Sequence, residues 1–187
     1  GAIGSVGIHM YNKILKDVID KERGAKKEVS IPKISADFPF GLSEGYVPLT
    51  EDRLYFYQSL ALSGSMKKIN DIKEEIVDRF GPLPADASFL LNVTRLRVSL
   101  SNTSVRKVYI RKKSVELSIK SFLPFDSIEE LFSAVIEGFN INEKSVVLKN
   151  KKDGNLLITI GGLSVTYSSI KSIICSLEKL FINKEIY

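Results

Sequence analysis

The sequence contains a single cysteine, Cys175, and a single histidine, His9. One cysteine forms no disulfide within the chain and supplies no multi-cysteine metal site, which fits a reducing, cytoplasmic setting. Cys175 lies beside the inward side of an apolar helical pattern, next to Ile174. With no flanking His or Arg to activate it, packing rather than reactivity is expected of it. A histidine-based zinc site fails for lack of ligands. A Ser-His-Asp or Cys-His arrangement would have to use His9, the single histidine of the chain. Neither a GxxxxGK[ST] loop nor a GxGxxG turn is present, so no motif cradles nucleotide phosphates. No apolar run approaches the roughly 18 residues that a membrane helix requires. Gly1 to Met10 lacks the basic start and long apolar stretch of a secretory signal. Together these absences point away from hydrolase, zinc-site and membrane classes, and no catalysis is expected of the chain itself.

What is present suits a globular protein. The 187 residues are 44% apolar and 26% charged, enough for one domain, or one domain with an appendage. The formal charge of +5 and pI near 9.2 favour nucleic acid or an acidic partner without choosing between them.

Apolar residues at Ile8, Tyr11, Ile14, Leu15, Val18 and Ile19 recur at steps of three and four and predict an amphipathic first helix. The polar stretch Asp20 to Glu28 reads as a linker, and Val29 to Ile34 as a short strand. After a Pro/Gly-rich passage, Thr50 is placed as the cap of a second helix, with Glu51 and Asp52 near its positive end. Gly64 breaks that helix. A third carries Ile69, Ile72, Ile76 and Phe80 and stops at Gly81-Pro82. A fourth starts at Pro84 and buries Phe89, Val93, Leu96 and Leu100. The period then changes to two. Val108 and Ile110, a turn at residues 111–114, and Val115, Leu117 and Ile119 predict a hairpin with a basic tip. Helical spacing returns over Phe125 to Phe139. Ser145 to Leu148 and Leu156 to Ile160 pair as strands, Gly161-Gly162 turns into Leu163, Val165 and Tyr167, and a last helix turns Ile170, Ile173, Ile174, Leu177 and Phe181 inward. The order predicts an α+β fold, a helical group followed by a mostly antiparallel sheet with packed helices.

Two charged groupings are candidates for binding. Asp71, Glu74, Glu75 and Asp78 lie at helical spacing opposite an apolar stripe, which equally describes a plain solvated face. Arg106, Lys107, Arg111, Lys112 and Lys113, with Lys149, Lys151 and Lys152 in the next loop, could track phosphates. A single aromatic residue, Tyr109, stands among them, short of the series that a base-stacking platform would need, and charged hairpin tips also keep sheets soluble.

Two stretches carry a resemblance. One is Gly45-Tyr46-Val47-Pro48, followed by Arg53-Leu54-Tyr55-Phe56-Tyr57 and Leu60-Ala61. The other is Glu75-Ile76-Val77-Asp78-Arg79-Phe80-Gly81-Pro82-Leu83-Pro84, followed by Leu90-Leu91 and Leu96-Arg97. In order and spacing they resemble the C-terminal domain of the bacterial transcription-repair coupling factor family, whose pattern reads YIP…RL..Y..LA and then EL.DRFGPLP…LL…LR. Val6 to Tyr11 is similar to the VGF.LY segment that closes the family's translocase module. The likeness runs over about Gly45 to Arg97. From Ser101 to Tyr187 only the element order carries it, and Phe38 to Gly41 departs from the family's acidic version.

The resemblance implies residues 1–28 as the trailing helix of a translocase module plus linker, and residues 29–187 as a C-terminal regulatory domain. It implies a whole protein that is an ATP-driven double-stranded DNA translocase, with ATP and magnesium bound outside this chain. Such a protein pushes on stalled RNA polymerase and recruits the excision-repair protein UvrA. The domain would pack on the N-terminal UvrB-like module, mask its UvrA contact and restrain the motor. Within that frame Glu75, Asp78 and Arg79 are the candidate intramolecular interface. Phe80, Gly81, Pro82, Leu83 and Pro84 form an architectural connector, stiffened by two prolines. Arg111, Lys112 and Lys113 are the possible DNA contact of the alternative reading, a nucleic-acid-binding module.

Overall fold

A computed structural model describes residues 3–22, 30–120 and 125–182. The chain forms two compact units, one of Gly1–Val29 with Pro39–Val98, the other of Ser30–Phe38 with Ser99–Tyr187. Most of the linker expected at Asp20 to Glu28 lies outside the described residues.

The first unit is helical: α1 (Ile3–Glu22), α2 (Thr50–Leu62), α3 (Met66–Phe80) and α4 (Ala85–Ser99). Its core gathers Tyr11, Phe56, Tyr57, Leu60, Ile76, Leu90 and Leu96, each almost fully buried. α1 packs along α2 through Tyr11, whose ring lies 6.0 Å from that of Tyr57. The Tyr11 hydroxyl and Thr94 Oγ1 are 3.0 Å apart, and Thr94 donates onward to the Leu90 carbonyl at 2.9 Å. A buried hydroxyl without such a partner would cost about 1–3 kcal/mol. Gly7 is fitted to this contact, since a Cβ there would stand 2.6 Å from the Tyr57 hydroxyl oxygen.

Helix starts follow local chemistry, with one correction. Ser65 caps α3 by accepting the Lys68 N–H. Thr50 is not the cap of α2. Leu49 occupies that position without a side-chain bond, and Thr50 is the first helical residue, its hydroxyl accepting from Arg53 instead.

The second unit is a five-stranded sheet in the order β1-β2-β3-β5-β4, with β1 (Lys33–Ala36), β2 (Val105–Ile110), β3 (Val115–Ile119), β4 (Val146–Asn150) and β5 (Leu156–Ile160). Only β1 and β2 run parallel, so the sheet is mostly antiparallel as expected. β1 begins later than the strand placed at Val29 to Ile34. Register sets the two faces. Val108, Leu117 and Ile158 align across three strands, as do Ile110, Val115 and Ile160, and all six are fully buried. α5 (Ile128–Phe139) and α6 (Ile170–Phe181) supply the matching apolar surface through Leu131, Val135, Ile170, Ile174 and Leu177. Ser127 caps α5 and Asn140 closes it in the left-handed conformation. The opposite face carries Lys107, Tyr109, Glu116, Ser118, Leu157 and Thr159.

Leu163, Val165 and Tyr167 form no strand. The segment instead docks on the hairpin tip, where the N–H groups of Leu163 and Val165 donate to the carbonyls of Lys113 and Lys112 at 3.2 and 3.0 Å. Tip carbonyls thus replace a neighbouring strand as acceptors.

Candidate interaction surface

The two motif stretches meet inside the helical unit, and a buried arginine joins the first to α2. Arg53 is 8% exposed. Its Nη1 donates to the carbonyls of Val47 and Pro48 at 2.7 and 2.8 Å, and its Nη2 to Glu44 Oε1 and Thr50 Oγ1 at 3.2 and 3.0 Å. The guanidinium therefore pins the Gly45-Tyr46-Val47-Pro48 loop to the first turn of α2. A planar fork with five donors suits several oxygens at once, where a lysine ammonium would not.

The second stretch closes on the first. The Tyr46 hydroxyl donates to the Gly81 carbonyl at 2.7 Å, and its ring stacks edge-on against Phe80 at 6.1 Å. Phe56 meets Phe80 at 5.9 Å from the other side. Gly81 ends α3 with φ +84°, a conformation that a Cβ disfavours, while its N–H still donates to the Val77 carbonyl. Pro82 is exposed, Leu83 and Pro84 are half-buried, and the Pro84 carbonyl accepts the Ser88 N–H at 2.9 Å in the first turn of α4. Phe80 to Pro84 thus sets the turn from α3 to α4 and carries no reacting group.

Arg79 lies above this aromatic pair, 5.0 Å from the Phe80 ring centre and 5.4 Å from that of Phe56. Its Nη2 reaches Asp52 on α2 at 2.5 Å and its Nη1 reaches Glu75 at 3.6 Å. The Asp52 carboxylate, accepting from the guanidinium, raises the Arg79 pKa further above its already high ordinary value, and Glu75 adds to this. Glu75 also accepts from the Tyr55 hydroxyl at 3.3 Å. Arg79 and Glu75 are therefore held against α2. Asp78, one turn along, is exposed and borders a shallow surface groove with Lys73, Glu74, Glu75 and Val77. Of the three candidate interface residues, Asp78 presents its charge most openly, Glu75 shares its charge, and Arg79 acts as a tie between helices.

The basic hairpin tip divides in a similar way. Arg111 Nε donates to Glu116 at 2.8 Å, and its guanidinium covers the Tyr109 ring at 4.0 Å. Lys112 and Lys113 are exposed. His9 is exposed and Cys175 half-buried. Among the described residues no group of His, Cys, Asp and Glu is arranged to hold a metal ion, and no helix is long and apolar enough to cross a membrane.

Asp52 was not legible as a site residue, because it meets Arg79 across 27 positions of sequence. Arg53 was visible in the motif but not its role, since its main acceptors are backbone carbonyls, which no sequence pattern marks.

Residues 36–127 match a family model described as TRCF domain. The transcription-repair-coupling factor of Staphylococcus aureus (strain USA300) is 27% identical over 139 residues, a match that takes in 72% of this chain and 12% of the relative. That of Myxococcus xanthus is 27% identical over 107 residues, 57% of this chain and 9% of the relative. The match thus spans only a small part of those proteins. A crystal structure of the C-terminal domain of transcription-repair coupling factor superposes with a TM-score of 0.66 at 14% identity, covering 82% of this chain and 94% of that one, so the fold is shared.

Proposed function

We propose that this chain, whose residues 36–127 match a family model described as TRCF domain, serves as a regulatory, non-catalytic interaction domain of an ATP-dependent DNA translocase that couples transcription to nucleotide excision repair. In this reading the domain docks on the N-terminal UvrB-like module of the same protein. It covers the surface that UvrA would use and restrains the motor until RNA polymerase and double-stranded DNA are engaged. ATP and magnesium belong to the motor, and the setting is the cytoplasm.

The observation that carries the reading is the exposed acidic edge of α3. Most charged members of the family motif are consumed inside the helical unit, Arg53 by the loop and Arg79 by Asp52. Glu74 and Asp78 remain outward, with Glu75 half-exposed beside them. A fixed helix presenting like charges suits a basic docking surface, since charge complementarity sets register and speeds encounter. Titrating this chain against the isolated N-terminal module, with UvrA as competitor, tests it. Binding that UvrA displaces, and that weakens at least tenfold (about 1.4 kcal/mol) in Glu75→Lys/Asp78→Lys, is the expected result. Unchanged affinity in that double variant overturns the assignment of the docking edge.

A further inference from the structure

The helix-free face of the sheet carries a charge pattern that the interface reading does not use. Lys33 on β1 and Lys107 on β2 are direct partners across a parallel pair, and both are exposed. Like charges placed side by side on neighbouring strands repel. Among the described residues neither has a carboxylate within ion-pair distance. Two acids of this unit are already engaged: Asp37 accepts from the Tyr109 hydroxyl at 2.5 Å, and Glu116 from Arg111 at 2.8 Å. Following the same rung, Lys107 aligns with Ser118, Ser118 with Leu157, and Leu157 with Lys149. Strands about 4.8 Å apart put Lys149 about 14 Å from Lys107 across the face. Between them lies a depression of about 200 Å³, lined by Lys33, Lys107 and Lys151, by Ser35 and the buried Ser118, by Tyr109 and Leu157, and by one acid, the Arg111-paired Glu116.

We propose that this face binds the sugar-phosphate backbone of a single-stranded nucleic acid. One phosphate sits between Lys33 and Lys107, the strand crosses the depression over Ser118 and Leu157, and a further phosphate meets Lys151 and Lys149. Three lysines against one carboxylate, itself paired with Arg111, supply point charges for phosphate, the Ser35 hydroxyl supplies a hydrogen bond to its oxygens, and Leu157 offers an apolar floor for a sugar. The Tyr109 ring is covered by Arg111 at 4.0 Å and so offers no free face for a base. Binding is therefore insensitive to sequence. The lysines concerned are not those of the hairpin tip, and the assignment is independent of the acidic edge of α3.

The test is fluorescence anisotropy of a labelled oligothymidylate titrated with the whole 187-residue chain across a salt series. Wild-type binding is expected to weaken steeply with salt. In Lys33→Gln/Lys107→Gln/Lys151→Gln the affinity at low salt falls at least tenfold. The slope of log K against log salt drops by about 1.4, at ~0.7 for each of the two phosphates of the single strand that are no longer neutralised. Lys112→Gln/Lys113→Gln stays within about twofold of wild type, because those side chains lie off the rung. All of these positions are exposed, and an unchanged circular dichroism spectrum verifies the fold of each variant. The proposal is overturned if the wild-type chain shows no salt-dependent binding, or if the tip variant loses as much as the triple variant. It is equally overturned if polyglutamate competes as well as the oligonucleotide, which would make the face a site for an acidic protein, or if a duplex binds more tightly than the single strand. None of these results alters binding to the UvrB-like module, so the two readings fail separately.

Discussion

At the scale of single residues, the helical unit depends on two side chains that link segments distant in sequence. Arg53 satisfies the Val47 and Pro48 carbonyls from a position only 8% exposed. Arg53→Ala leaves these groups without their charged donor, and urea denaturation is expected to show a loss of about 2–4 kcal/mol. Arg53→Lys recovers only part of it, because one ammonium cannot reach the four oxygens the fork serves. Tyr57 is the other. Its hydroxyl accepts the Leu42 N–H at 2.8 Å within the core. Burial raises its pKa, with the Leu42 hydrogen bond acting in the opposite sense. The folded chain therefore keeps a proton that the unfolded chain releases near pH 10. The contribution to stability is complete below that pH and is lost as the pH rises through the higher folded value. Chemical denaturation between about pH 8 and 11 should show a decline that is shallower in Tyr57→Phe. In the sequence Tyr57 stood out as a member of the first motif stretch. The sequence did not mark the hydroxyl's partner, nor the close approach of Gly7, because both contacts join segments whose meeting only the fold defines.

At the scale of elements, periodicity was a sound guide wherever one face is buried and the other is wet. α6 shows this most clearly, since Ile170, Ile173, Ile174, Leu177 and Phe181 all turn inward as their spacing predicts. α5 likewise buries Leu131, with Val135 completing the stripe. The hairpin of β2 and β3 followed from its alternation, although a register shift between Val105 and Lys107 interrupts the pattern. Periodicity misled where backbone geometry rather than hydrophobicity decides. Alternating Leu163, Val165 and Tyr167 imitates a strand, yet the acceptors for this segment are the carbonyls of a turn. Thr50 has good capping chemistry, but Arg53 uses its hydroxyl. The stop of α3 was legible because Gly81-Pro82 has few other solutions, and the observed φ of +84° agrees. Gly81→Ala is expected to cost about 1 kcal/mol by thermal or urea denaturation. The same substitution at Gly45, where a Cβ would meet nothing within 4 Å, serves as the control.

At the scale of the whole molecule, a modest net charge conceals an uneven distribution. The unit containing the sheet holds fourteen lysines and arginines against ten acids, whereas the helical unit holds thirteen against twelve. The formal +5 was visible from composition. Its concentration was not, because it depends on strand register placing Lys33 beside Lys107. The acidic edge of α3 was visible as i, i+3 and i+4 spacing. What the spacing could not separate was Arg79, tied to Asp52 at 2.5 Å, from Asp78, which remains outward. In the proposed function this outward edge helps to mask a partner's site in the full-length protein. The most direct measurement is the affinity of UvrA for full-length protein, wild type against Glu75→Lys/Asp78→Lys. If the edge holds the mask in place, the variant binds UvrA at least tenfold more tightly, since the closed state no longer competes. Equal affinity for UvrA in the two proteins would contradict a masking role for the edge.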